Sequence, residues 1–278
     1  MTGREWWFAS VYPGTPSAMD AAVAGAGRWA RQTVHDIGAD CWYFIRYVDP
    51  TGVHVRLRIR AHPDALDGLA HRSGPLHELA DSADPSPSAT VHRRLIPEAG
   101  TLDVSGPPGV RLDVYEPELD KYGTDHLPDA ERCFQESSEL MLDLDTTTKP
   151  ATGARAALAV HLMRQAANAV LTDAEIRDFW PYHRAYWGNS LRPLRLTKEA
   201  LRSRLAVVTR AMEDTPPADG ELDRLGSWSD ALARRIHAAG PSRRVHLFFH
   251  HLHMSMNRLG YLPAEEAMLG LVASGGGM

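Results

Sequence analysis

Alternation of apolar and polar residues is clearest between Cys41 and Arg60, where CWYFIRYVDPTGVHVRLRIR predicts a β-hairpin. Two β-rich runs flank the turn Asp49–Gly52, in which proline and glycine supply the backbone angles of a tight turn. Successive side chains of a strand point to opposite faces. The second strand therefore has an apolar face of Val53, Val55, Leu57 and Ile59 and a cationic face of His54, Arg56, Arg58 and Arg60.

The partner strand, Cys41–Val48, is apolar on both faces, and such strands are normally covered on both sides. Arginines on a covered sheet need anionic partners, because an unpaired buried charge is costly. Three explanations of the cationic face are open: a solvated outer face, internal carboxylates, or an anionic ligand bound by guanidinium forks. We favour the ligand.

The rest of the pattern predicts an α+β fold, in which an N-terminal mixed sheet with the hairpin and flanking helices precedes a mainly helical half. Further strands are predicted at Trp6–Tyr12, Val91–Ile96 and Val110–Tyr115. A capping box of Ser17 and Asp20 opens a helix to Asp36 that Gly38 ends, and a helix over Pro63–Ala80 breaks at Gly74-Pro75. Composition makes Ser82–Thr90 a loop.

Helical periodicity fills the C-terminal half, with segments at about 128–144, 151–171, 173–187, 197–213, 219–239, 242–259 and 263–273. We expect a single domain over 1–278, sheet-rich to about residue 125 and helical over about 126–273.

Composition narrows the function. A net charge of −5 argues against a nucleic-acid binder and makes the arginine cluster a local feature. Two cysteines, Cys41 and Cys133, fit neither a disulfide framework nor a metal spacing, so each is predicted to be a small buried hydrophobe. No signal-peptide pattern, membrane-length apolar run, phosphate loop or dinucleotide fingerprint occurs, which predicts a cytoplasmic protein.

Two further clusters could carry chemistry. YEPELDKYGTD, Tyr115–Asp125, places Glu118 and Lys121 where a strand gives way to a helix, although a solvated turn would look the same. In VHLFFHHLHMSMNRLGY, His246, His250, His253 and Asn257 share one helical face. Such histidines can be structural, can move protons or bind substrate, or can bind zinc; zinc is disfavoured because HExxH is absent.

A fourth stretch, Phe179–Ser190, is rich in aromatic side chains and includes Tyr186 and Trp187. It is predicted to belong to the core or to line a peptide groove.

Together the clusters resemble the lantibiotic dehydratase C-terminal domain. WYFIRYVDPTGVHVRLRIR is similar to its W-F-I-R-Y-x-D-P…H-x-R-x-R signature, YEPELDKYG to Y-x-x-E-x-x-R-Y-G-G, and HMSMNRLGY to H-M-x-x-N-R-L. The resemblance runs from Trp6 to Tyr261. The tRNA-dependent glutamylating region that precedes this domain in full-length dehydratases is not in the sequence, so the resemblance implies the stand-alone form of thiopeptide pathways.

The resemblance implies one of two reactions on a ribosomally made precursor peptide. One is elimination of glutamate from glutamylated Ser or Thr to give dehydroalanine or dehydrobutyrine. The other, in pyridine synthases of the same fold, is a formal [4+2] cyclisation of two dehydroalanines with release of the leader. The implied catalytic residues are Arg56, Arg58, Glu118, Lys121 and His253. The predicted substrate-binding residues are His54, Tyr115, Tyr122, Tyr186, Trp187, His250, Asn257 and Arg258.

Elimination is the reaction we favour at this stage. Lys121 stands where the family has Arg, and Thr124 replaces the second Gly; both are compatible with the cyclase. The retained Arg56, Arg58, Glu118 and His253 favour elimination, with Arg56, Arg58 and His253 expected to share one cavity. A non-catalytic partner that binds the leader through region 1–40 is the third hypothesis. No metal or organic cofactor is implied; the expected partners are the peptide and a separate glutamylating chain, without nucleic acid or membrane.

Overall fold

The computed structural model describes residues 3–82, 94–102 and 104–275, and it confirms the α+β class. Four strands form one sheet in the order β2-β3-β1-β4. They span Glu5–Tyr12 (β1), Cys41–Asp49 (β2), Gly52–Ala61 (β3) and Gly109–Asp113 (β4). Every pairing is antiparallel, whereas the sequence had suggested a mixed sheet.

The hairpin register follows the alternation of the sequence. Leu57 lies opposite Phe44 and Ala9, so one face of three neighbouring strands is apolar and buried. Helix α1, Met19–Ile37, covers this face, where Trp29 packs against Trp7 with ring centroids 5.6 Å apart. A one-residue slip would move every apolar side chain to the opposite face, so burial fixes the register. The cationic side chains therefore all point to the other face.

The start of α1 differs from the prediction. A 3-10 turn, Pro16–Ala18, precedes the helix, and Ala18 is the N-cap without any side-chain cap. The capping box of Ser17 and Asp20 was wrong, because Ser17 Oγ lies 2.9 Å from Thr15 Oγ1 instead. The predicted end is confirmed: Gly38 takes a left-handed conformation (φ 61°) that favours glycine.

The segment predicted as one helix broken at Gly74-Pro75 forms three short helices. These are α2 (Pro63–Asp67), α3 (Leu69–Arg72) and α4 (Gly74–Ser82), so a break falls before Gly74 and another at Gly68. Of the predicted loop Ser82–Thr90, residues 83–90 lie outside the described residues.

The strand predicted over Val91–Ile96 was wrong in its described part, Arg94–Ile96, which is irregular. The reason is that the Ile96 N–H donates to Glu265 Oε1 at 3.2 Å instead of joining a strand ladder. Residues 91–93 lie outside the described residues.

The chain divides into two compact units. The first unit comprises Met1–Ala89 and Thr101–Asp143 and contains the sheet. It ends with α5 (Leu119–Tyr122) and α6 (Leu127–Asp143), and α6 packs on β2, where Ser138 Oγ accepts the Phe44 N–H at 3.2 Å. Both cysteines are buried and neither forms a disulfide, as predicted.

The second unit comprises Thr90–Gly100 and Leu144–Met278 and is helical where it is regular. Its α-helices are α7 (Ala154–Val170), α8 (Asp173–Gly188), α9 (Lys198–Asp214), α10 (Asp219–Ala238), α11 (Pro241–Leu259) and α12 (Pro263–Ala273). These confirm the predicted helices with small shifts of their ends. Among the described residues no helix has both the length and the hydropathy needed to cross a membrane.

Candidate active site

Arg58 is a buried cation without a carboxylate partner among the described residues. Only 5% of its surface is exposed, and its guanidinium carbon lies 4.9 to 5.3 Å from the ring centroids of Phe8, Tyr43 and Tyr115. Within the described ranges it makes one hydrogen bond, from Nη1 to Tyr43 Oη at 3.0 Å, and its buried Nε has no partner there. The aromatic faces compensate only part of the charge, so the site is suited to an anion.

Arg56, the preceding group on the cationic face, is also without a carboxylate in the part of the chain that the structure describes. Its guanidinium stacks 3.4 Å from the ring centroid of Tyr47, and its Nε donates to His54 Nε2 at 3.3 Å. His54 is completely buried, and its Nδ1 lies 3.1 Å from the Gly52 carbonyl. Burial lowers the pKa of His54, so the ring is neutral near pH 7 and can accept from Arg56.

Arg60 forms ion pairs with carboxylates, whereas Arg56 and Arg58 on the same face form none with the described residues. It donates to Asp40 at 3.0 and 3.3 Å and to Glu131 at 2.6 Å. Glu131 also accepts from Tyr115 Oη at 2.8 Å. Burial raises the pKa of Glu131, although the bond from Tyr115 and the charge of Arg60 act in the opposite direction. The cationic face is thus divided: Arg60 is ion-paired within the protein, whereas Arg56 and Arg58 form no ion pair with a carboxylate among the described residues.

Glu118 and Lys121 lie close together at the short helix α5, of which Glu118 is the N-cap. Their side chains form an i,i+3 ion pair of 3.1 Å at the start of α5, and Lys121 is 44% exposed. Glu118 Oε2 is buried and has no partner in the described ranges. Tyr122, on the same helix, is buried against Phe134 with ring centroids 5.2 Å apart, so its ring is part of the core.

In the second unit His253 is bound to a buried carboxylate. His253 Nδ1 lies 2.7 Å from Glu266 Oε2, and the other carboxylate oxygen, Oε1, lies 3.1 Å from His183 Nε2. Glu266 and His183 are fully buried, whereas the His253 side chain is 24% exposed. Burial alone would raise the pKa of Glu266, but His253 and His183 together hold it below its usual value. We call these three residues the histidine–carboxylate cluster.

Aromatic rings support the exposed histidine. Trp187 stacks on His253 with centroids 4.2 Å apart and an interplanar angle of 22°, and Phe249 stacks on Trp187 at 5.5 Å and 6°. Tyr186 is half exposed and packs edge-on against Phe249. His250 lies one turn before His253 and makes an edge contact with His246 at 4.5 Å. The aromatic segment therefore contributes both to the core and to an accessible surface.

Asn257 and Arg258 lie in the last turn of the same helix and have structural contacts. The Asn257 carbonyl accepts the Gly260 N–H at 2.9 Å, and the buried Arg258 donates to the Met254 carbonyl at 3.0 Å. Gly260 ends the helix in a left-handed conformation with φ 90°.

The predicted site residues are divided between the two compact units. The first unit contains His54, Arg56, Arg58, Tyr115, Glu118, Lys121 and Tyr122, and the second contains Tyr186, Trp187, His250, His253, Asn257 and Arg258. A cavity common to both groups stays a prediction. Sequence reasoning missed Glu131 and Glu266. A carboxylate within an otherwise apolar helical stretch, as in PAEEAMLGLV, was the available signal.

No cluster of three or more His, Cys, Asp or Glu side chains in the described ranges is arranged to hold a metal ion. Arg56 and Arg58 form no ion pair with a carboxylate in the described ranges, and the His253 imidazole is held by a buried carboxylate. Such features suit an enzyme site for anions and proton transfer. The chain belongs to the lantibiotic biosynthesis dehydratase C-term family, whose pattern matches residues 6–274. This membership confirms the resemblance.

Solved structures with the same fold include both kinds of relative that the resemblance named. The tRNA dependent lantibiotic dehydratase MibB from Microbispora sp. 107891 matches with TM-score 0.56 and 21% identity over 98% of this chain. This chain spans 28% of the length of MibB. The pyridine synthase TbtD from thiomuracin biosynthesis matches with TM-score 0.64 and 17% identity, covering 98% of this chain and 97% of TbtD.

A third structure, TsrL, matches with TM-score 0.54 and 16% identity, covering 98% of this chain and 93% of its own. At these identities the likeness establishes the fold. No curated protein sequence is similar enough to count as a match.

Proposed function

We propose that the protein eliminates glutamate from glutamylated Ser or Thr residues of a precursor peptide, as a carbon–oxygen lyase. The observation that carries the proposal is the division of the cationic face. Arg60 has two carboxylate partners, whereas Arg56 and Arg58 have none among the described residues. Two adjacent guanidinium groups that form no ion pair with a carboxylate of the described residues suit a substrate that brings its own carboxylate.

The reaction requires one proton transfer and one bond cleavage. A base takes the proton from Cα of the acylated residue, the electron pair forms the Cα–Cβ double bond, and the Cβ–O bond breaks. Glutamate leaves as a carboxylate and carries away the bonding electrons. Negative charge develops first on the amide oxygen and then on the leaving oxygen, and preorganised guanidinium groups stabilise charge at such positions.

The predicted residues divide these tasks. Arg56 and Arg58 bind the glutamate and its developing charge, and His54 acts through Arg56 because it is buried and accepts the Arg56 Nε–H. His253 is the group that moves the proton, since imidazole is matched to neutral pH. Lys121 lies on α5, the helix that follows β4, and supplies a further positive charge although it is ion-paired with Glu118.

The expected partners follow from this chemistry. The substrate is a ribosomally made precursor peptide with a leader and a core, and a separate glutamylating chain must act before this enzyme. MibB is described as a tRNA dependent dehydratase, which agrees with a preceding glutamylation step in that protein. We place the reaction in the cytoplasm, without direct binding of nucleic acid.

Pyridine synthesis by formal [4+2] cyclisation of two dehydroalanines is the second candidate. The observation in its favour is at Lys121, which replaces the arginine of the family motif and forms an ion pair with Glu118. A lysine ammonium offers a point charge in place of a fork, so bidentate binding of a carboxylate is lost at this position. A cyclase, which releases no glutamate, does not need that fork.

One assay with two substrates distinguishes the candidates. The protein is incubated with a precursor peptide carrying a glutamyl ester on one serine, and separately with the peptide carrying two dehydroalanines. Elimination predicts free glutamate and a dehydroalanine peptide in the first reaction. Cyclisation predicts a pyridine macrocycle and a detached leader in the second.

Variants make the assay specific. Arg58→Met is expected to lower glutamate release by roughly 100-fold or more, as loss of a transition-state donor does. Arg72→Met removes an exposed arginine outside the sheet and is the control for a simple loss of charge. Equal turnover in wild type and Arg58→Met would refute the proposal. Leader binding without either product would leave the non-catalytic peptide-binding hypothesis.

A further inference from the structure

The orientation of His253 is set from within the second unit. Its Nδ1 is 2.7 Å from a carboxylate oxygen that is fully buried, and an ionised carboxylate can only accept hydrogen bonds. Nδ1 therefore carries a proton and donates it to Glu266. Nε2, on the opposite side of the ring, has no partner among the described residues. This leaves Nε2 as the basic nitrogen of a histidine whose side chain is one-quarter exposed.

The other oxygen of Glu266 identifies the state of His183. Because Oε1 accepts from His183 Nε2 at 3.1 Å, that nitrogen carries the proton. His183 Nδ1 is buried and has no hydrogen-bond partner in the described ranges. A second proton there would be a buried N–H without an acceptor, which is costly, so His183 is neutral. The charge of Glu266 is consequently not cancelled by His183.

Packing leaves His183 little freedom to move. A Cβ atom built on Gly270 would lie 2.7 Å from both Cε1 and Nδ1 of the ring, so the absence of a side chain at Gly270 makes room for this histidine. Phe179 and Trp180 flank the ring with centroids 5.7 Å away. His183 is therefore a rigid donor to one carboxylate oxygen, and it directs the other oxygen towards His253.

We propose that Glu266 is the positioning residue of His253 and that His183 fixes Glu266 in turn. Glu266 selects the Nδ1–H tautomer of His253, keeps Nε2 available for the proton of the substrate, and supplies the negative charge that stabilises the resulting imidazolium. Stacking on Trp187 holds the ring plane. The inference rests on the proposed function only in assigning proton transfer to His253; the tautomer does not depend on the substrate.

The tautomer is measured first, on the full chain labelled with ¹⁵N, by long-range ¹⁵N–¹H correlation of the histidine rings. The His253 signals are identified by their loss in His253→Gln. Wild type is expected to show His253 protonated at Nδ1 and His183 protonated at Nε2 at pH 8. His253 protonated mainly at Nε2 would overturn the inference without any variant.

Glu266→Gln then tests the role. Its amide can donate as well as accept, so His253 is expected to lose its fixed tautomer, and kcat is expected to fall by about 10- to 100-fold with KM little changed. Glu265→Gln is the matched control: this neighbouring carboxylate is equally buried but contacts Arg94 and the Ile96 N–H instead of a histidine. It is expected to lower thermal stability while leaving the tautomer of His253 and kcat unchanged.

The possible results separate the two proposals. A tautomer change in Glu266→Gln, in a protein that releases no glutamate from any substrate, would reject the lyase assignment and support the positioning inference. An active wild type whose tautomer and kcat are unaltered by Glu266→Gln would overturn the inference and leave the lyase assignment standing. If Glu266→Gln does not fold, the wild-type spectrum remains the test, and a His253 ring protonated mainly at Nε2 would overturn the inference.

Discussion

Arg58 and Arg60 lie on the same face of the same strand, yet their replacement by methionine should have opposite consequences. Arg60 is held by Asp40 and Glu131, whereas Arg58 has no carboxylate partner among the described residues. Arg60→Met is expected to destabilise the protein and Arg58→Met to leave it nearly as stable while removing activity. The comparison separates a cation that serves the fold from one that serves the substrate.

The magnitude for Arg60→Met follows from what is left behind. Glu131 is only 3% exposed and would lose the guanidinium 2.6 Å away, and breaking a buried ion pair costs roughly 3 to 5 kcal/mol. Because burial already raises the pKa of Glu131, protonation can relieve part of the cost, so we expect about 3 kcal/mol. For a protein of 278 residues that corresponds to a fall of roughly 5 °C in Tm.

For Arg58→Met the opposing contributions nearly cancel. Desolvation of an unpaired cation costs several kcal/mol. Three aromatic contacts of about 1 kcal/mol each and one hydrogen bond of about 1.5 kcal/mol offset most of it. Methionine keeps the apolar stem buried. The expected change in unfolding free energy is within about 1 kcal/mol, which is a shift in Tm of no more than about 2 °C.

Thermal and urea unfolding of wild type and both variants provide the measurement, with glutamate release measured in parallel. Free L-glutamate at a hundredfold excess over its Kd should stabilise wild type by about 2.7 kcal/mol and so raise its Tm. It should not change the Tm of Arg58→Met. If Arg58→Met is destabilised as much as Arg60→Met, the two arginines have equivalent structural roles and the division of the cationic face is refuted.

Two further predictions concern the second unit. Gly270→Ala should destabilise it by about 1 to 3 kcal/mol, because the new methyl would lie 2.7 Å from the His183 ring. Gly226→Ala should stabilise it by about 0.5 to 1 kcal/mol, because its methyl would lie 3.9 Å from the nearest atom and alanine favours the helix. Burial lowers the pKa of His251 to about 3. As the pH falls, this side chain is therefore protonated near pH 6.5 in the unfolded chain but only near pH 3 in the folded protein. Stability should therefore fall by about 1.4 kcal/mol per pH unit from pH 6.5 towards 3, and His251→Gln should reduce this slope while the exposed His35→Gln should not.

Differential scanning calorimetry of wild type and the variants, over a range of pH for the histidine variants, tests both predictions. Equal Tm values for the two glycine variants would show that His183 can move aside at no cost, contrary to the close packing described above. A pH slope that is unchanged in His251→Gln would mean that other groups cause the acid sensitivity.

The hairpin was predictable because its information is local. The alternation over Cys41–Arg60 fixes both the turn and the division into an apolar and a cationic face, and the buried register preserves them. The helices of the second unit were predictable for the same reason. The strand expected near Ile96 failed because its N–H bonds to Glu265, which is 169 residues away along the chain. The pattern of a few neighbouring residues cannot predict a hydrogen-bond partner so far away in the sequence.

The same limit applies to the chemistry. Sequence identified Arg56, Arg58 and Arg60 as one row, but which of them is neutralised depends on Glu131, 71 residues beyond Arg60. Likewise His253 was identified by its motif, while the carboxylate that orients it follows on the next helix and is shared with a histidine 83 residues upstream of it. Residue types were predictable, whereas their pairing was not.

The choice between elimination and cyclisation therefore depends on the charge that the cationic face must balance. An eliminating enzyme binds a glutamyl group with its own carboxylate, so Arg56 and Arg58 would be neutralised only when the substrate is bound, and free glutamate would compete with it. A cyclase acting on two neutral dehydroalanines would leave the same guanidinium groups to polarise amide oxygens, and glutamate would have no specific effect. Because Arg58 is already desolvated, whatever binds it must offer a charge or a strong dipole, and the response to glutamate tells which.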